Sequence, residues 1–239
     1  MLRAVLMGSA ARRIVVVLTL VLGTPAGVII AGATPQASAA CSPTSHCYAI
    51  AYNKNTATNH GAYGVVNSAC LYMPNNSSFV TNEVWDVDSS GAYWEEVGIV
   101  SGATDSGYLD KHWFWDDSRP GGGYHQHNSS ATASPNSSYR VKIEFAGSDT
   151  WDIYGNGNYS HFGTSTSQSA TLITNEAGTE YSAGSGSGMR NVGQVSDLQR
   201  ISSSGTFFNW GSNAAPYSNG FIGSNYDASS STVSWTGPC

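Results

Sequence analysis

Adjacent glutamates in a short aromatic segment are the first residues of this chain whose types and spacing could do chemistry. Residues 93–99 read Tyr-Trp-Glu-Glu-Val-Gly-Ile, a pattern typical of a β-strand. Because side chains alternate between the faces of a strand, Glu95 lies with apolar residues while Glu96 lies with Trp94 and Gly98. We interpret Glu96 as a candidate catalytic residue and Trp94 as a candidate substrate-binding residue, with open space for a ligand at Gly98. A solvated outer face is the alternative interpretation.

A second pair of carboxyl groups lies further along the chain, in residues 174–181. Glu176 and Glu180 are expected at the end of a strand or just beyond it. Carboxyl groups from separate strands can divide the roles of acid and base, because burial or mutual repulsion moves their pKa values apart. We predict that Glu180 is catalytic and that Glu176 binds substrate, with Glu176 competing for the catalytic role. Two solvated loop carboxylates would give the same sequence.

Aromatic side chains are concentrated in residues 111–117, Lys-His-Trp-Phe-Trp-Asp-Asp. Trp113 and Trp115 share one face of the predicted strand. One face of such a strand belongs to the core, whereas exposed aromatic rings can stack on sugar rings or hold a peptide. We predict that Trp113, Trp115 and the nearby Tyr124 contribute to substrate binding.

Metal binding has little support in the sequence. His125 and His127 share one face of an extended segment, but a metal site needs a third ligand. Asp86 and Asp88 have the oxygen donors for calcium without the spacing of a twelve-residue calcium loop. The G-x-S-x-G, H-E-x-x-H and P-loop motifs are absent from the sequence. We expect no metal and no cofactor.

The elements that would position these residues are short strands. Apolar residues alternate with period two, and turn residues recur every eight to twelve positions. The clearest case is Tyr139–Phe145, which a turn at residues 147–149 connects to Trp151–Tyr154. We predict an all-β fold, an antiparallel two-sheet jelly-roll (concanavalin-like) sandwich. The other predicted strands are residues 63–70, 82–86, 93–100, 111–115, 169–174, 194–200 and 232–235, with loops at 116–123 and 182–188.

The first 40 residues have the order of a secretory signal peptide. Arginines at positions 3, 12 and 13 precede an apolar run over residues 14–22, and small residues follow up to Ala40. The run is too short for a permanent membrane span of about 30 Å. We therefore predict that residues 41–239 form one secreted, extracellular β-sandwich domain, which we expect to be a monomer.

Net charge limits the classes of partner that the domain could bind, and the cysteine content indicates its cellular compartment. Without the three leader arginines, seven of the ten Lys and Arg residues remain against 16 acidic residues. This balance argues against nucleic acid and against stable membrane association. Four cysteines in an exported domain predict two disulfides. Three pairings are available, and we favour Cys47–Cys70 with Cys41–Cys239, which would join the two ends of the domain.

The order of these segments resembles small secreted actinobacterial proteins and, more distantly, the glutamic peptidases of the eqolisin and neprosin groups. Eqolisins have a Gln-x-Gly strand, an aromatic strand, and then an Ala-Glu-aromatic segment; Gln and Glu form their catalytic dyad, and neprosins use two Glu. Here residues 96–98 (Glu-Val-Gly), 113–115 (Trp-Phe-Trp) and 179–181 (Thr-Glu-Tyr) are similar in the same order. The similar region covers roughly residues 93 to 200.

The resemblance implies an acid-acting endopeptidase with a β-sandwich fold. Glu180 would act as general base on water, and protonated Glu96 would donate a hydrogen bond to the developing oxyanion. Carboxyl groups about 3–6 Å apart on one face would support this dyad. A carbohydrate-binding, lectin-like module without catalysis is the alternative, and a glycoside hydrolase or lyase or a surface interaction protein would also fit the sequence. The substrate would accordingly be a polypeptide or a polysaccharide.

Overall fold

The fold is described from a computed structural model, which covers residues 41, 45–53, 59–67, 69–102 and 110–239. The predicted signal peptide, residues 1–40, lies outside the described residues. Within them, one short 3₁₀ turn (Gly211–Asn213) accompanies sixteen strands. No helix in the described part of the chain has the length and apolar character needed to cross a bilayer.

The strands are all antiparallel to their neighbours. In chain order they are β1 (Cys47–Asn53), β2 (Gly61–Asn67), β3 (Cys70–Tyr72), β4 (Phe79–Asp88), β5 (Trp94–Gly102), β6 (His112–Arg119), β7 (Gly123–Thr132), β8 (Ser138–Gly147), β9 (Thr150–Gly155), β10 (Ser160–Thr166), β11 (Leu172–Tyr181), β12 (Arg190–Ile201), β13 (Phe207–Asn209), β14 (Ala214–Ser218), β15 (Gly223–Asp227) and β16 (Thr232–Thr236).

The strands form two sheets. The first has seven strands in the order β14-β1-β11-β4-β5-β6-β7. The second follows the order β10-β9-β8-β2-β12-β16-β15, and β3 and β13 add to β12. Buried residues of both sheets, among them Val97 and Trp113 from the first and Val141 and Ile153 from the second, belong to one hydrophobic cluster. This confirms the predicted antiparallel two-sheet sandwich.

The hairpin of β8 and β9 shows how local sequence determines these elements. Val141 and Ile143 are fully buried, as the alternating pattern predicts. The two residues between the strands, Ser148 and Asp149, both have positive φ, at 51° and 57°. This is the backbone of the tight turn that matches the twist of paired strands.

The expected loop at residues 116–123 is wrong over its first half. Strand β6 continues to Arg119, and β7 begins at Gly123. Asp116 is therefore a strand residue, paired with Glu96 of β5 on one side and Gln126 of β7 on the other. Polar side chains indicated a loop, whereas Asp116 and Ser118 lie on the outer face of the sheet and Asp117 on its inner face, where it contacts Arg119 and His125.

Both disulfides are present, but the favoured pairing is wrong. Cys41 pairs with Cys47, and Cys70 pairs with Cys239. Cys47 begins β1 of the seven-stranded sheet, whereas Cys70 begins β3, which pairs with β12 in the other sheet. Cys47 and Cys70 therefore belong to different sheets, which the spacing of cysteines does not reveal.

Candidate active site

Three glutamates converge on the outer face of the seven-stranded sheet. Glu96 lies on β5, Glu180 on β11, and Glu83 on β4 between them. Carboxyl oxygens of all three lie within 4.8 Å of one another, and their exposed fractions are 7, 8 and 1% respectively. The predicted partners Glu96 and Glu180 thus meet in space, and a third carboxyl group joins them.

The register of the strands explains the convergence. Glu83 has Gly98 of β5 as its cross-strand partner on one side and Gly178 of β11 on the other. Glu96 lies opposite Trp85, one rung away along β4. Glutamate side chains can therefore lean from the outer rungs toward a central rung that carries no other side chain.

The two glycines at this rung allow the neighbouring strands to approach closely. A Cβ built at Gly98 would lie 2.5 Å from the Glu83 Cβ and 2.3 Å from the Asn82 carbonyl oxygen. A Cβ at Gly178 would lie 2.4 Å from the Ala49 carbonyl oxygen. The open space that we expected at Gly98 is occupied by the backbone and Cβ of Glu83.

Burial and neighbouring acidic groups favour the protonated form of Glu96, against two indole hydrogen bonds that favour its ionised form. The indole N–H of Trp85 donates a hydrogen bond to Glu96 Oε2, and Trp94 also hydrogen-bonds to this carboxyl group. Desolvation, followed by the charges of Asp116 and Glu180, raises the pKa of Glu96 well above its usual value. These effects favour a neutral Glu96, the form that can donate a hydrogen bond.

Glu83 is the deepest of the three carboxyl groups. The Thr81 hydroxyl donates a hydrogen bond to Glu83 Oε1, whereas Glu83 Oε2 is buried and has no hydrogen-bond partner among the residues that the structure describes. Desolvation is the largest cause that raises the pKa of Glu83 well above its usual value, and the charges of Glu96 and Glu180 add to it. The structure therefore favours neutral Glu83.

Glu180 has a different environment. Its carboxyl group pairs with the imidazole Nδ1 of His46, whose side chain is half-exposed. The hydrogen bond that His46 Nδ1–H donates to the Glu180 carboxylate is the largest cause that raises the pKa of His46 above its usual value. The backbone N–H of Glu180 donates to the Thr81 hydroxyl oxygen at 3.0 Å. Because the same hydroxyl donates to Glu83, Thr81 connects Glu180 with Glu83.

Asp116 extends the acidic network beyond Glu96. The Tyr124 hydroxyl donates to Asp116 Oδ2 at 2.6 Å, and the His127 N–H donates to Oδ1 at 3.0 Å. Desolvation raises the pKa of Asp116 to about 7, against these hydrogen bonds and one with Glu96, which lower it. Asp116 and Glu83 are the two acidic residues of the site that the sequence interpretation missed. For Glu83, the alternation Glu83-Val84-Trp85 within a predicted strand indicates that Glu83 and Trp85 share one face.

Three of the predicted substrate-binding residues lie on this face. The rings of Trp94 and Tyr124 are 6.3 Å apart between centroids, and Tyr124 is 55% exposed. Glu176 lies opposite Trp85, two residues before Gly178 on β11. These residues flank the three glutamates on both sides.

Trp113 and Trp115 lie on the opposite face of the sheet, and their proposed contact with substrate is not compatible with this position. They are 1 and 7% exposed and belong to the hydrophobic core. Trp115 stacks on His127 with ring centroids 3.6 Å apart, and its indole fills the space beside Gly163. Both tryptophans therefore belong to the core face of this aromatic strand, the other interpretation that the sequence allowed.

The two candidate histidine ligands are also engaged elsewhere. His127 stacks on Trp115, whereas His125 Nδ1 lies 2.8 Å from Asp117 Oδ1 and from the Arg119 guanidinium. In the described part of the chain, the one set of three acidic, histidine or cysteine side chains close enough to share an ion is the three glutamates.

Comparison with solved structures relates this fold to peptidases. The chain matches no protein-family model and no curated protein. Scytalido-glutamic peptidase with a transition state analog inhibitor is similar with a TM-score of 0.58 and 10% identity, over 81% of this chain and 98% of that one. SCP-B, a member of the eqolisin family in complex with the tripeptide Ala-Ile-His, is similar with a TM-score of 0.52 and 12% identity, over 80% and 97% of the two chains. The chain therefore shares a β-sandwich fold with the glutamic peptidases and resembles them distantly.

Proposed function

We propose that this chain is a secreted, acid-acting endopeptidase that uses Glu96 and Glu180 as its catalytic pair. The observation that carries the proposal is the convergence of the two carboxyl groups within 4.8 Å on one sheet face. The shared fold with glutamic peptidases supports the reaction class. Two disulfides support an oxidising, extracellular location.

The first step of the proposed reaction is the attack of water on a peptide carbonyl. Glu180, as a carboxylate, accepts one proton from the water while the water oxygen bonds to the carbonyl carbon. Protonated Glu96 donates a hydrogen bond to the carbonyl oxygen, on which negative charge develops. The product is a tetrahedral intermediate.

The second step breaks the carbon–nitrogen bond. The proton that Glu180 accepted passes to the leaving amine, and the oxyanion collapses to re-form the carbonyl while Glu96 keeps its hydrogen. Both glutamates regain their starting protonation states. The cycle requires one ionised and one neutral carboxyl group, so the activity belongs at acid pH.

The proposed test is cleavage of a denatured protein at about pH 3–5, where a pair of carboxyl groups can share one proton. Glu180→Gln removes the base, and we expect roughly a 100-fold or larger loss of kcat. Glu96→Leu removes the donor to the oxyanion, and we expect a loss on the order of 100-fold.

Glu95→Gln is the matched control, because Glu95 is the neighbour of Glu96 and faces the core. Its carboxyl group binds Ser165 and Gln168, and burial raises its pKa to about 8. Glu95 is therefore neutral at pH 4, and the glutamine should preserve activity there. Full activity of both Glu180→Gln and Glu96→Leu would exclude the proposed pair.

Carbohydrate binding is a second candidate, favoured by one observation. Exposed Tyr124 and partly buried Trp94 form an aromatic pair on the same face, and such rings stack on sugars. In a pull-down with insoluble polysaccharide, this candidate requires retention that survives Glu180→Gln and is lost in Trp94→Ala. Cleavage of protein that depends on Glu180 would instead support the peptidase.

A further inference from the structure

The central position of Glu83 is not explained by a catalytic pair. Strand β4 lies between β11 and β5, so Glu83 stands between the strands that carry Glu180 and Glu96. It projects from a rung on which both neighbours are glycine. A third carboxyl group is thus placed between the two that the proposed reaction uses.

The three carboxyl oxygens define a binding point of suitable size for water. Because the three oxygens lie within 4.8 Å of one another, a point between them lies within about 2.8 Å of each, which is within hydrogen-bond distance. A bound water needs two to four polar partners, and this point offers three. Calcium would require distances of about 2.3–2.6 Å and six to eight oxygen ligands.

The two oxygens of the Glu83 carboxyl group differ in their hydrogen bonds. The Thr81 hydroxyl donates to Oε1, which is therefore the oxygen without the hydrogen when Glu83 is neutral. The hydrogen then belongs to Oε2, which is fully buried and has no partner among the described residues. Buried polar atoms without a partner are rare, so we expect Oε2 to form a hydrogen bond with a bound molecule such as water.

We propose that Glu83 is a third catalytic carboxyl group, which holds the attacking water by donating a hydrogen bond from its neutral form. This inference rests on the proposed peptidase function and adds a residue to it. The water accepts the hydrogen bond from Glu83 through one lone pair and donates one proton to Glu180. Its other lone pair attacks the carbonyl carbon, and Glu83 keeps its hydrogen throughout the cycle.

The test compares Glu83→Gln with Glu83→Leu. Glutamine retains a neutral donor at the same place, so we expect kcat within about fivefold of the parent, because the hydrogen bond to water survives. Leucine lacks any donor, and we expect kcat to fall roughly 10- to 100-fold, the effect of one lost hydrogen bond to a reacting group. KM should change less than about twofold in both variants, because Glu83 contacts water rather than substrate.

Further measurements separate this role from a structural one. The pH dependence of kcat should be the same in Glu83→Gln and the parent, since Glu83 stays neutral over the working range. Near-ultraviolet circular dichroism would show that Glu83→Leu is folded. A crystal structure of the parent and of Glu83→Gln at about pH 4 should show a water within hydrogen-bond distance of all three side chains.

Two results would overturn the inference. One is kcat in folded Glu83→Leu equal to that of the parent while Glu180→Gln is inactive, which would leave the catalytic pair in place without Glu83. The other is calcium at the centre of the three carboxyl groups, seen in the crystal or by calorimetric titration with calcium chloride. Absence of cleavage by the parent at every acid pH would instead reject the proposed function itself, and the crystal structure would still decide whether Glu83 holds a water.

Discussion

Glu96 and Glu180 differ in their hydrogen-bond partners, and this difference assigns their roles. Glu96 is enclosed by Trp85, Trp94 and Asp116, so burial and a neighbouring acid favour its neutral form. Glu180 is paired with the half-exposed His46, whose cationic form is favoured by the contact. The donor and the base of the proposed reaction are thus distinguished by environment rather than by residue type.

The pH profile provides a prediction for Glu96. Glutamine at this position donates a hydrogen bond at every pH, whereas glutamate does so only while protonated. Glu96→Gln should therefore keep activity within about tenfold at pH 4 and extend it to higher pH than the parent. The measurement is kcat/KM across pH 3 to 8, with Glu95→Gln as control. An alkaline limb at the same pH in Glu96→Gln and the parent would contradict the assignment of Glu96 as the titrating acid.

At the scale of elements, the site depends on how closely β4 and β5 approach. Gly98 and Glu83 are cross-strand partners, and any side chain at Gly98 would meet the backbone of Asn82 and the Cβ of Glu83. The close spacing of β4 and β5 therefore determines the position of the Glu83 carboxyl group. It leaves no room for a residue larger than glycine at position 98.

Substitution of this glycine tests the dependence. Gly98→Ala should lower the free energy of unfolding by roughly 1–3 kcal/mol, because the added methyl group overpacks a region closed by backbone atoms. It should also lower kcat, since Glu83 must shift. Urea denaturation and a cleavage assay give both quantities. Gly186→Ala is the control, because a Cβ there meets no atom of the described residues within 4 Å. Equal free energies of unfolding for the two variants would show that β4 and β5 can move apart to accommodate the methyl group without loss of stability.

Strand alternation explains which parts of the architecture were predictable from sequence. Period-two patterns correctly separated Glu95 from Glu96 and identified the β8–β9 hairpin, because both are local properties of one strand. Glu83 was overlooked, since its significance comes from pairing with β5 and β11, which are distant in sequence or separated by a turn. Alternation placed Trp113 and Trp115 on one face, but only the packing of the second sheet decided that this face was the core.

At the scale of the whole molecule, the two disulfides constrain very different lengths of chain. Cys41 and Cys47 are 6 residues apart, whereas Cys70 and Cys239 are 169 apart. Loop-closure entropy gives about 2 kcal/mol for the short loop and about 5 kcal/mol for the long one. The second disulfide joins the last residue of the chain to β3 and should dominate the stability gained from cross-linking.

Paired serine substitutions measure this difference. The variant lacking Cys70 and Cys239 should lose about 3 kcal/mol more unfolding free energy than the variant lacking Cys41 and Cys47. Urea denaturation of both variants at the same pH gives the values. A larger loss from the short loop would mean that the segment before β1, which includes His46, contributes more to stability than loop entropy does.

The buried carboxyl groups also make the stability of the whole domain depend on pH in a defined direction. Burial raises the pKa of Glu95 to about 8 and of Asp116 to about 7, and it raises the pKa values of Glu83 and Glu96 well above the usual range. A folded state that binds protons more tightly than the unfolded state is stabilised by acid. This contribution is complete below about pH 4, near the unfolded pKa values, and is lost as the pH rises through the folded ones.

The domain should therefore unfold at a higher temperature at pH 4.5 than at pH 8.5. Each unit of raised pKa corresponds to about 1.4 kcal/mol, so Glu95 alone accounts for a few kcal/mol between these values. Glu95→Gln keeps the bulk of the side chain without the ionisation. It should raise Tm at pH 8.5 and change it little at pH 4.5, so that the difference between the two pH values becomes smaller. Calorimetry at both pH values measures the effect. A Tm that rises with pH in the parent would contradict the neutral state assigned to these buried acids, and with it the protonated donor that the proposed reaction requires.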